Sequence, residues 1–146
     1  MNVTGTARTQ YATFWVGDHY LGIPVPEVQE VLREQMITKV PLAPPAVAGL
    51  INLRGQIVPE LDVRTLLAIR PRESGAATFS VVVRTDHGAV SLSVDEIDDV
   101  MELDASSFEM PPQNVDGLVR GVLRGVHQLP RRLLLIVDVP RMVEVT

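Results

Sequence analysis

Valine dominates the apolar part of this sequence and restricts the fold more than any other feature. The chain contains 23 Val and 7 Ile against 16 Leu. Side chains that branch at Cβ lose freedom in helices and pack well on the pleated surface of a sheet. The 11 Pro and 10 Gly residues are spread along the chain, which limits each element to a short length. The sequence therefore predicts an all-β fold of short strands.

Length and composition narrow the class of protein. The 146 residues suit one domain, and an apolar fraction of 46% is too high for a disordered chain. No apolar run approaches the roughly 20 residues that cross a bilayer, so we expect no direct membrane insertion. Met1–Gln10 contains no apolar segment typical of a secretion signal, and cysteine is absent, which suits a cytoplasmic protein. A net charge of −5 disfavours nucleic acid as a partner.

Alternation and turn residues place the elements of the first half. Strands are expected over Tyr11–Val16 and Tyr20–Val25, and apolar residues at helical spacing predict a short helix over Pro26–Leu32. A second hairpin is expected from Leu50–Leu53 and Gln56–Leu61 around Arg54-Gly55, with Pro59 indicating an edge or a bulge and Asp62 capping a helical turn.

The second half repeats this order after a linker predicted over Arg70–Ala77. We expect a short acidic helix over Asp95–Val100, a polar loop over Asp104–Asn114, and a cap at Asp138. The remaining segments are expected to be strands: Thr78–Arg84, Ala89–Val94, Leu118–Val126 with bends at Gly121 and Gly125, and Leu133–Val137 buried on both faces.

The two halves have similar sequences at equivalent places. Glu27-Val28-Gln29-Glu30-Val31 corresponds to Glu96-Ile97-Asp98-Asp99-Val100, and Leu61-Asp62-Val63 corresponds to Val137-Asp138-Val139. Two copies are too few for a solenoid. The pattern favours two small barrels that pack side by side with a groove between them, and chance similarity of Val-rich segments is the alternative.

The residues that carry chemistry form no catalytic set. His19, His87 and His127 lie far apart, and solvated positions are the interpretation that their spacing favours over a metal site. The acidic residues Asp95, Glu96, Asp98 and Asp99 lack the glycine and alternating oxygen ligands of a calcium loop. We found no phosphate-binding loop, nucleophile elbow or acid–base–nucleophile combination. The sequence therefore predicts no catalytic residue, no metal and no cofactor.

The segment from Gly49 to Asp62 is the most distinctive. Asn52 and Arg54 lie on one face of a strand at the start of a tight turn. The amide and the guanidinium can bind the carbonyls or carboxylates of a partner. They can equally hold this protein's own turn to an acid such as Glu27 or Glu30, and composition alone favours that internal contact.

This segment resembles the signature of the CheW-like domain, the coupling module of bacterial chemosensory arrays. Four further segments are similar to the family pattern, in the same order and over nearly the whole chain: Gly22–Val31, the proline-rich Val40–Pro44, Ser93–Val100, and Leu134–Asp138. The resemblance implies two intertwined five-stranded SH3-like β-barrels with short helices. It places one domain over residues 10–146, with subdomain 1 over about 10–46 plus 128–146, subdomain 2 over about 47–127, and a flexible N-terminus over 1–9.

The resemblance also implies partners and sites. Family members do no chemistry; they bind the regulatory domain of a CheA-type histidine kinase and the cytoplasmic tip of a methyl-accepting chemoreceptor, and they work in the cytoplasm at membrane-associated receptor arrays. By resemblance, the receptor-binding positions are Val28, Glu30, Gly49, Asn52, Arg54, Ile97 and Val100. Glu30, Val31 and Leu32 are implied to face the kinase.

Other interpretations stay open. The same fold could serve a sensory pathway that controls surface motility or development instead of flagella. A small barrel that binds a ligand or nucleic acid is an alternative of another class, but an aromatic content of 4% and the acidic charge disfavour it. Val28, Ile97 and Val100 could fill cores beneath their predicted helices, Gly49 could be a glycine that ends a helix, and Arg54 could act by binding Glu30.

Overall fold

The computed structural model describes residues 7–33, 35–70 and 78–146. Strands dominate these residues, as the β-branched side chains predict. Three short helices are present in them: α1 (Val63–Leu66), α2 (Gly117–Arg120) and α3 (Val139–Glu144). The strands in chain order are β1 (Arg8–Val16), β2 (His19–Pro24), β3 (Val28–Arg33), β4 (Val47–Leu53), β5 (Gln56–Asp62), β6 (Phe79–Thr85), β7 (Gly88–Val94), β8 (Glu96–Asp104), β9 (Phe108–Glu109), β10 (Leu123–Gln128) and β11 (Leu133–Val137).

The strands form two sheets of the same topology. Sheet 1 has the order β8-β1-β2-β11-β10-β9, and sheet 2 has the order β3-β6-β7-β5-β4. In each sheet a hairpin (β1–β2 or β6–β7) pairs antiparallel with one strand and parallel with the last strand of a second hairpin. The predicted fold class, all-β with two intertwined five-stranded units, is confirmed, and the two-residue strand β9 extends sheet 1.

Each sheet receives one strand from the other half of the chain. β3 follows the β1–β2 hairpin but pairs with β6 in sheet 2, and β8 follows the β6–β7 hairpin but pairs with β1 in sheet 1. Sheet membership therefore does not follow the predicted subdomain bounds: β3 belongs to sheet 2, and β8, β9 and β10 belong to sheet 1. Continuous segments cannot describe sheets whose strands cross over.

The N-terminal boundary also differs from the expectation. Arg8 and Thr9 were expected in a flexible terminus, but they belong to β1 and pair with Asp104 and Leu103 of β8. Residues 1–6 of that predicted terminus, and residues 71–77 of the predicted linker, lie outside the described residues.

Two predicted helices are strands. Within Pro26–Leu32, a 3₁₀ turn that starts at Val25 ends at Glu27 and β3 begins at Val28. Within Asp95–Val100, every residue after Asp95 belongs to β8. Each strand carries a bulge: β3 has one extra residue between Val28 and Glu30, and β8 has one between Ile97 and Val100. A bulge interrupts the two-residue period, so apolar residues recur three apart and imitate helical spacing. Pairing with a neighbouring strand then provides hydrogen-bond partners for the backbone N–H and C=O groups.

The expected strand over Leu118–Val126 is half correct. Its first part is α2, because the Asp116 side chain accepts a hydrogen bond from the Leu118 amide and caps the turn. Its second part is β10, which bends at a register shift between Leu123 and Gly125. The caps predicted at Asp62 and Asp138 are confirmed, since their side chains accept from the amides of Arg64 and Arg141 at the starts of α1 and α3.

Three clusters of buried residues hold the fold. The largest lies between the two sheets and includes Phe14 and Ile23 of sheet 1, Val83 and Leu92 of sheet 2, and Met142 of α3. Each sheet adds a smaller cluster of its own: Tyr11, Tyr20, Leu134 and Ile136 in sheet 1, and Ile51, Leu53, Val58 and Val82 in sheet 2. The shared cluster places the two sheets relative to each other, so a surface that spans both depends on it.

Candidate functional site

The two exchanged strands, β3 and β8, each stand at the end of their sheet's strand order and expose apolar side chains. Val31 on β3 is 41% exposed, and Ile97 and Val100 on β8 are 36% and 58% exposed. Ile97 and Val100 therefore do not fill a core, and the helices expected to cover one are absent. Exposed apolar side chains on an edge strand are typical of a surface that another molecule covers.

The repeat relates the apolar positions of the two strands. Val28 corresponds to Ile97 and Val31 to Val100, each pair flanking a bulge. Val28 is half-buried and packs against the shared core, so it serves both the core and the surface. The structure thus brings the predicted apolar site residues onto two equivalent strands, one in each sheet.

Arg54 forms the internal ion pair that the sequence left open. Its guanidinium donates to both carboxylate oxygens of Glu30, at 3.1 Å for Nη1 to Oε1 and at a shorter separation for Nη2 to Oε2. The Arg54 side chain is 71% exposed and the Glu30 side chain 19% exposed. The hydrogen bond from Arg54 lowers the pKa of Glu30, and the same contact raises the pKa of Arg54. The pair links the β4–β5 turn to β3 and leaves most of the Arg54 side chain exposed.

Asn52 stabilises that turn. Its side-chain oxygen accepts a hydrogen bond from the Gly55 amide at 2.8 Å. The two central residues, Arg54 and Gly55, have φ of 52° and 88°, as in the two-residue hairpin turns that match strand twist. Asn52 therefore stabilises the turn that carries Arg54.

Gly49 lets the segment before β4 pack closely against that strand. A Cβ at this position would overlap the carbonyl oxygen of Thr38 and the side chain of Ile37. Thr38 pairs with Leu50 through two backbone hydrogen bonds of 2.8 Å, which bring the segment before β4 against that strand. Leu32 also acts through packing, since its side chain lies against the small core of sheet 2. Of the predicted kinase-facing residues, Val31 is the one whose side chain is most open to a partner.

An ion pair that the sequence analysis missed lies where β7 passes from sheet 2 into β8 of sheet 1. Arg64 of α1 donates to both carboxylate oxygens of Asp95, at 3.0 Å and 2.6 Å. The hydrogen bond to Asp95 raises the pKa of Arg64. The sequence predicts Asp95 at the start of a short acidic helix, and no local spacing connects residues 31 apart in sequence.

Other chemistry-bearing groups lie away from this surface. His127 is 1% exposed, which corrects the expectation of solvation; it hydrogen-bonds Tyr11 and Ser107, and burial lowers its pKa. A cavity of about 580 Å³ between β5, the β6–β7 turn and α3 contains none of the predicted site residues. Within the described residues, no three His, Asp or Glu side chains are grouped so that they could hold a metal ion. In the same part of the chain, every helix is too short or too polar to cross a membrane.

Known proteins with similar sequences identify the family. The sequence matches the CheW-like domain over residues 10–146. It is 28% identical to the chemotaxis protein CheW of Klebsiella aerogenes, over 94% of this chain and 82% of that protein. It is 30% identical to CheW of Bacillus subtilis, over 86% and 80% of the two chains. Protein FrzA of Myxococcus xanthus is 29% identical over 82% and 74%.

A solved structure confirms the likeness in three dimensions. The crystal structure of the scaffolding protein TtCheW from Thermoanaerobacter tengcongensis superposes with a TM-score of 0.80 at 26% identity, and the match covers 90% of this chain and 89% of that one. The match to the domain, the shared topology and the two exchanged edge strands lead to one conclusion. This chain belongs to the CheW-like domain family of chemotaxis coupling proteins.

Proposed function

We propose that this chain is a non-enzymatic adaptor that couples the cytoplasmic tip of a methyl-accepting chemoreceptor to the regulatory domain of a CheA-type histidine kinase. The observation that carries the proposal is the pair of exchanged edge strands, which expose apolar side chains from both sheets beside the Arg54–Glu30 ion pair. A helical receptor tip binds well to an apolar surface with a few polar anchors at its edge. Because that tip lies on the cytoplasmic side, the adaptor would be cytoplasmic and recruited to membrane-associated arrays.

The receptor surface would combine contacts from both sheets. Val28, Ile97 and Val100 supply apolar area, and Arg54 supplies charge at the rim. Gly49 and Asn52 support the surface through packing and turn geometry. A few such side chains usually carry most of the binding energy of an interface.

The kinase would bind sheet 2 at β3. Val31 is the contact residue of this proposal, since its side chain is exposed. Glu30 and Leu32 hold the strand in place, through Arg54 and through the small core respectively. The two partners would then share β3, which explains how one adaptor couples them.

The test is a set of charge variants assayed against the purified receptor tip. We expect Arg54→Ala to lower the affinity about tenfold, as is typical for a charged anchor. Arg141→Ala is the matched control, because Arg141 forms an ion pair with Asp138 in α3, a helix that carries none of the proposed receptor-binding residues. The control should bind like the unaltered chain, and unchanged binding by Arg54→Ala would refute the assignment.

The variant Glu30→Ala separates two modes of action. If Arg54 touches the receptor directly, Glu30→Ala retains binding and Arg54→Ala does not. If the ion pair acts by shaping the surface, each single variant and the double variant lose the same affinity, because each one breaks the same contact.

A second candidate function keeps the fold and changes the pathway. The similarity to protein FrzA of Myxococcus xanthus favours an adaptor in a chemosensory pathway that does not control flagella. Deletion of the gene in its own host distinguishes the two. Loss of swimming towards attractants supports the first function, whereas normal swimming with defective surface spreading or development supports the second.

A further inference from the structure

A single acidic residue stands at the passage from β7 to β8. Asp95 stands between the last residue of β7 and the first residue of β8, where the chain leaves sheet 2 for sheet 1. Its backbone amide donates to the carbonyl oxygen of Trp15 at 2.9 Å, and its Oδ2 accepts from the amide of Gly17 at 2.6 Å. Both contacts lie at the end of the β1–β2 hairpin, in sheet 1.

The same carboxylate is also bound from sheet 2. Arg64, in the helix that follows β5, donates Nε to Oδ1 at 3.0 Å and Nη2 to Oδ2 at 2.6 Å. The side chains of Arg64 and Asp95 are 17% and 18% exposed, so solvent screens the pair weakly. The guanidinium also donates to the carbonyl of Arg70. Asp95 therefore joins both sheets at the point where β8 begins.

We propose that Asp95, held by Arg64, is the positioning residue of the receptor-binding surface: it sets where β8 starts and so places Ile97 and Val100 relative to the part of that surface on sheet 2. The inference rests on the proposed function, since it assigns a role within the surface described there. Ile97 follows Asp95 by two residues, so a shift of the strand start moves it directly.

The equivalent crossing, from β2 to β3, is held differently. Glu27 binds Arg124 of β10 at 3.2 and 3.3 Å, but both side chains are about one-third exposed. Arg84 of β6 donates to the backbone carbonyls of Pro26 and Val28 at 3.0 and 3.1 Å. Backbone contacts thus hold the start of β3, and loss of Asp95 should displace β8 while leaving β3 in place.

The test variant is Asp95→Asn. The amide keeps the size of the carboxylate but replaces one oxygen by an NH₂ group, which then faces the Gly17 amide or the Arg64 guanidinium, both of them donors. Glu144→Gln is the matched control, since it neutralises an exposed acid in α3, a helix that contains neither the crossing nor a proposed receptor-binding residue. We expect Asp95→Asn to weaken binding of the receptor tip by at least about tenfold and to change binding of the kinase regulatory domain by less than about twofold.

A distance measurement separates positioning from a general loss of stability. The chain has no cysteine, so spin labels at Glu96→Cys on β8 and His87→Cys in the β6–β7 turn report the placement of β8 relative to sheet 2. We expect the distance distribution to broaden or shift in Asp95→Asn and to stay unchanged in Glu144→Gln. If Asp95→Asn fails to fold, Arg64→Lys keeps the charge and loses the two-point contact, and it should show the same pattern to a smaller extent.

Three results would overturn the inference: unchanged receptor affinity, an unchanged distance distribution, or parallel loss of receptor and kinase binding. Failure of the unaltered chain to bind the receptor tip would instead contradict the proposed function. In that event the distance measurement still decides whether Asp95 places β8.

Discussion

The substitution Gly49→Ala tests whether this glycine contacts a partner or acts through packing. The added Cβ would meet the carbonyl oxygen of Thr38, which is backbone and cannot turn aside as a side chain can, as well as the side chain of Ile37. The φ of Gly49 is 152°, a conformation that residues with a Cβ rarely adopt. The segment around Thr38 must therefore move away from β4.

The structure sets the size of the effect. Moving the segment breaks the two backbone hydrogen bonds between Thr38 and Leu50, each 2.8 Å long. Each bond contributes about 0.5–1.5 kcal/mol net, and backbone strain at a residue outside its usual region costs about 1–3 kcal/mol. Release of the segment relieves the overlap but not all of the strain. We expect the free energy of unfolding to fall by about 2–4 kcal/mol.

Urea denaturation measures this loss, and amide hydrogen exchange locates it at Thr38 and Leu50. Gly88→Ala is the control, because Gly88 has a φ of 115° with no atom near the added Cβ, so it reports backbone strain without overlap. Gly49→Ala should be the more damaging of the two and should release protection at Thr38. Equal losses in both variants, with protection at Thr38 retained, would refute the packing role.

Two further predictions concern the interior. Met142→Ala should destabilise the fold by about 2–5 kcal/mol, because its side chain is fully buried in the shared core, whereas Met36→Ala, at a residue 91% exposed, should change the free energy of unfolding by less than about 0.5 kcal/mol; equal effects would refute the assigned core. Burial lowers the pKa of His127 below its ordinary value of 6.5, so the unfolded chain binds that proton more readily than the folded one. Protonation of His127 therefore leaves the free energy of unfolding unaffected above pH 6.5 and lowers it as the pH falls below that value. Denaturation of the unaltered chain and of His127→Gln at pH 7.5 and 5.5 measures this effect, and the free energy of unfolding should fall less in the variant.

The strands could largely be predicted from sequence because each has a simple local pattern. The segment Leu133–Leu134–Leu135–Ile136–Val137 is apolar throughout and forms an interior strand, and the Asp62 and Asp138 caps follow from side-chain chemistry alone. The repeat between the halves was also visible, since equivalent strands must meet equivalent neighbours. Short-range physics determines these features.

The failures share a long-range cause. The bulges in β3 and β8 depend on the register with β6 and β1, which no window of sequence contains. The exchange of those two strands between the sheets also depends on pairing between residues far apart in sequence, and sheet membership follows from that exchange. The Arg64–Asp95 contact could not be foreseen because it forms only once β7 and α1 are in place.

The sequence names the candidate site residues but leaves open how several of them act. The structure shows Arg54 bound to Glu30 and Asn52 bound within its own turn. Gly49 accommodates a neighbouring segment, whereas Val31, Ile97 and Val100 are exposed. We therefore propose direct contact with a partner for the exposed apolar residues and Arg54, and a supporting role for the others.

The most direct test of the adaptor function is whether the chain joins two partners that do not otherwise hold together. Membranes that contain the chemoreceptor are sedimented with the CheA-type kinase, with and without this protein. The kinase should sediment with the receptor when the chain is added and remain in the supernatant when it is omitted. Kinase that stays in the supernatant in both cases, or sediments equally in both, would contradict the proposed coupling.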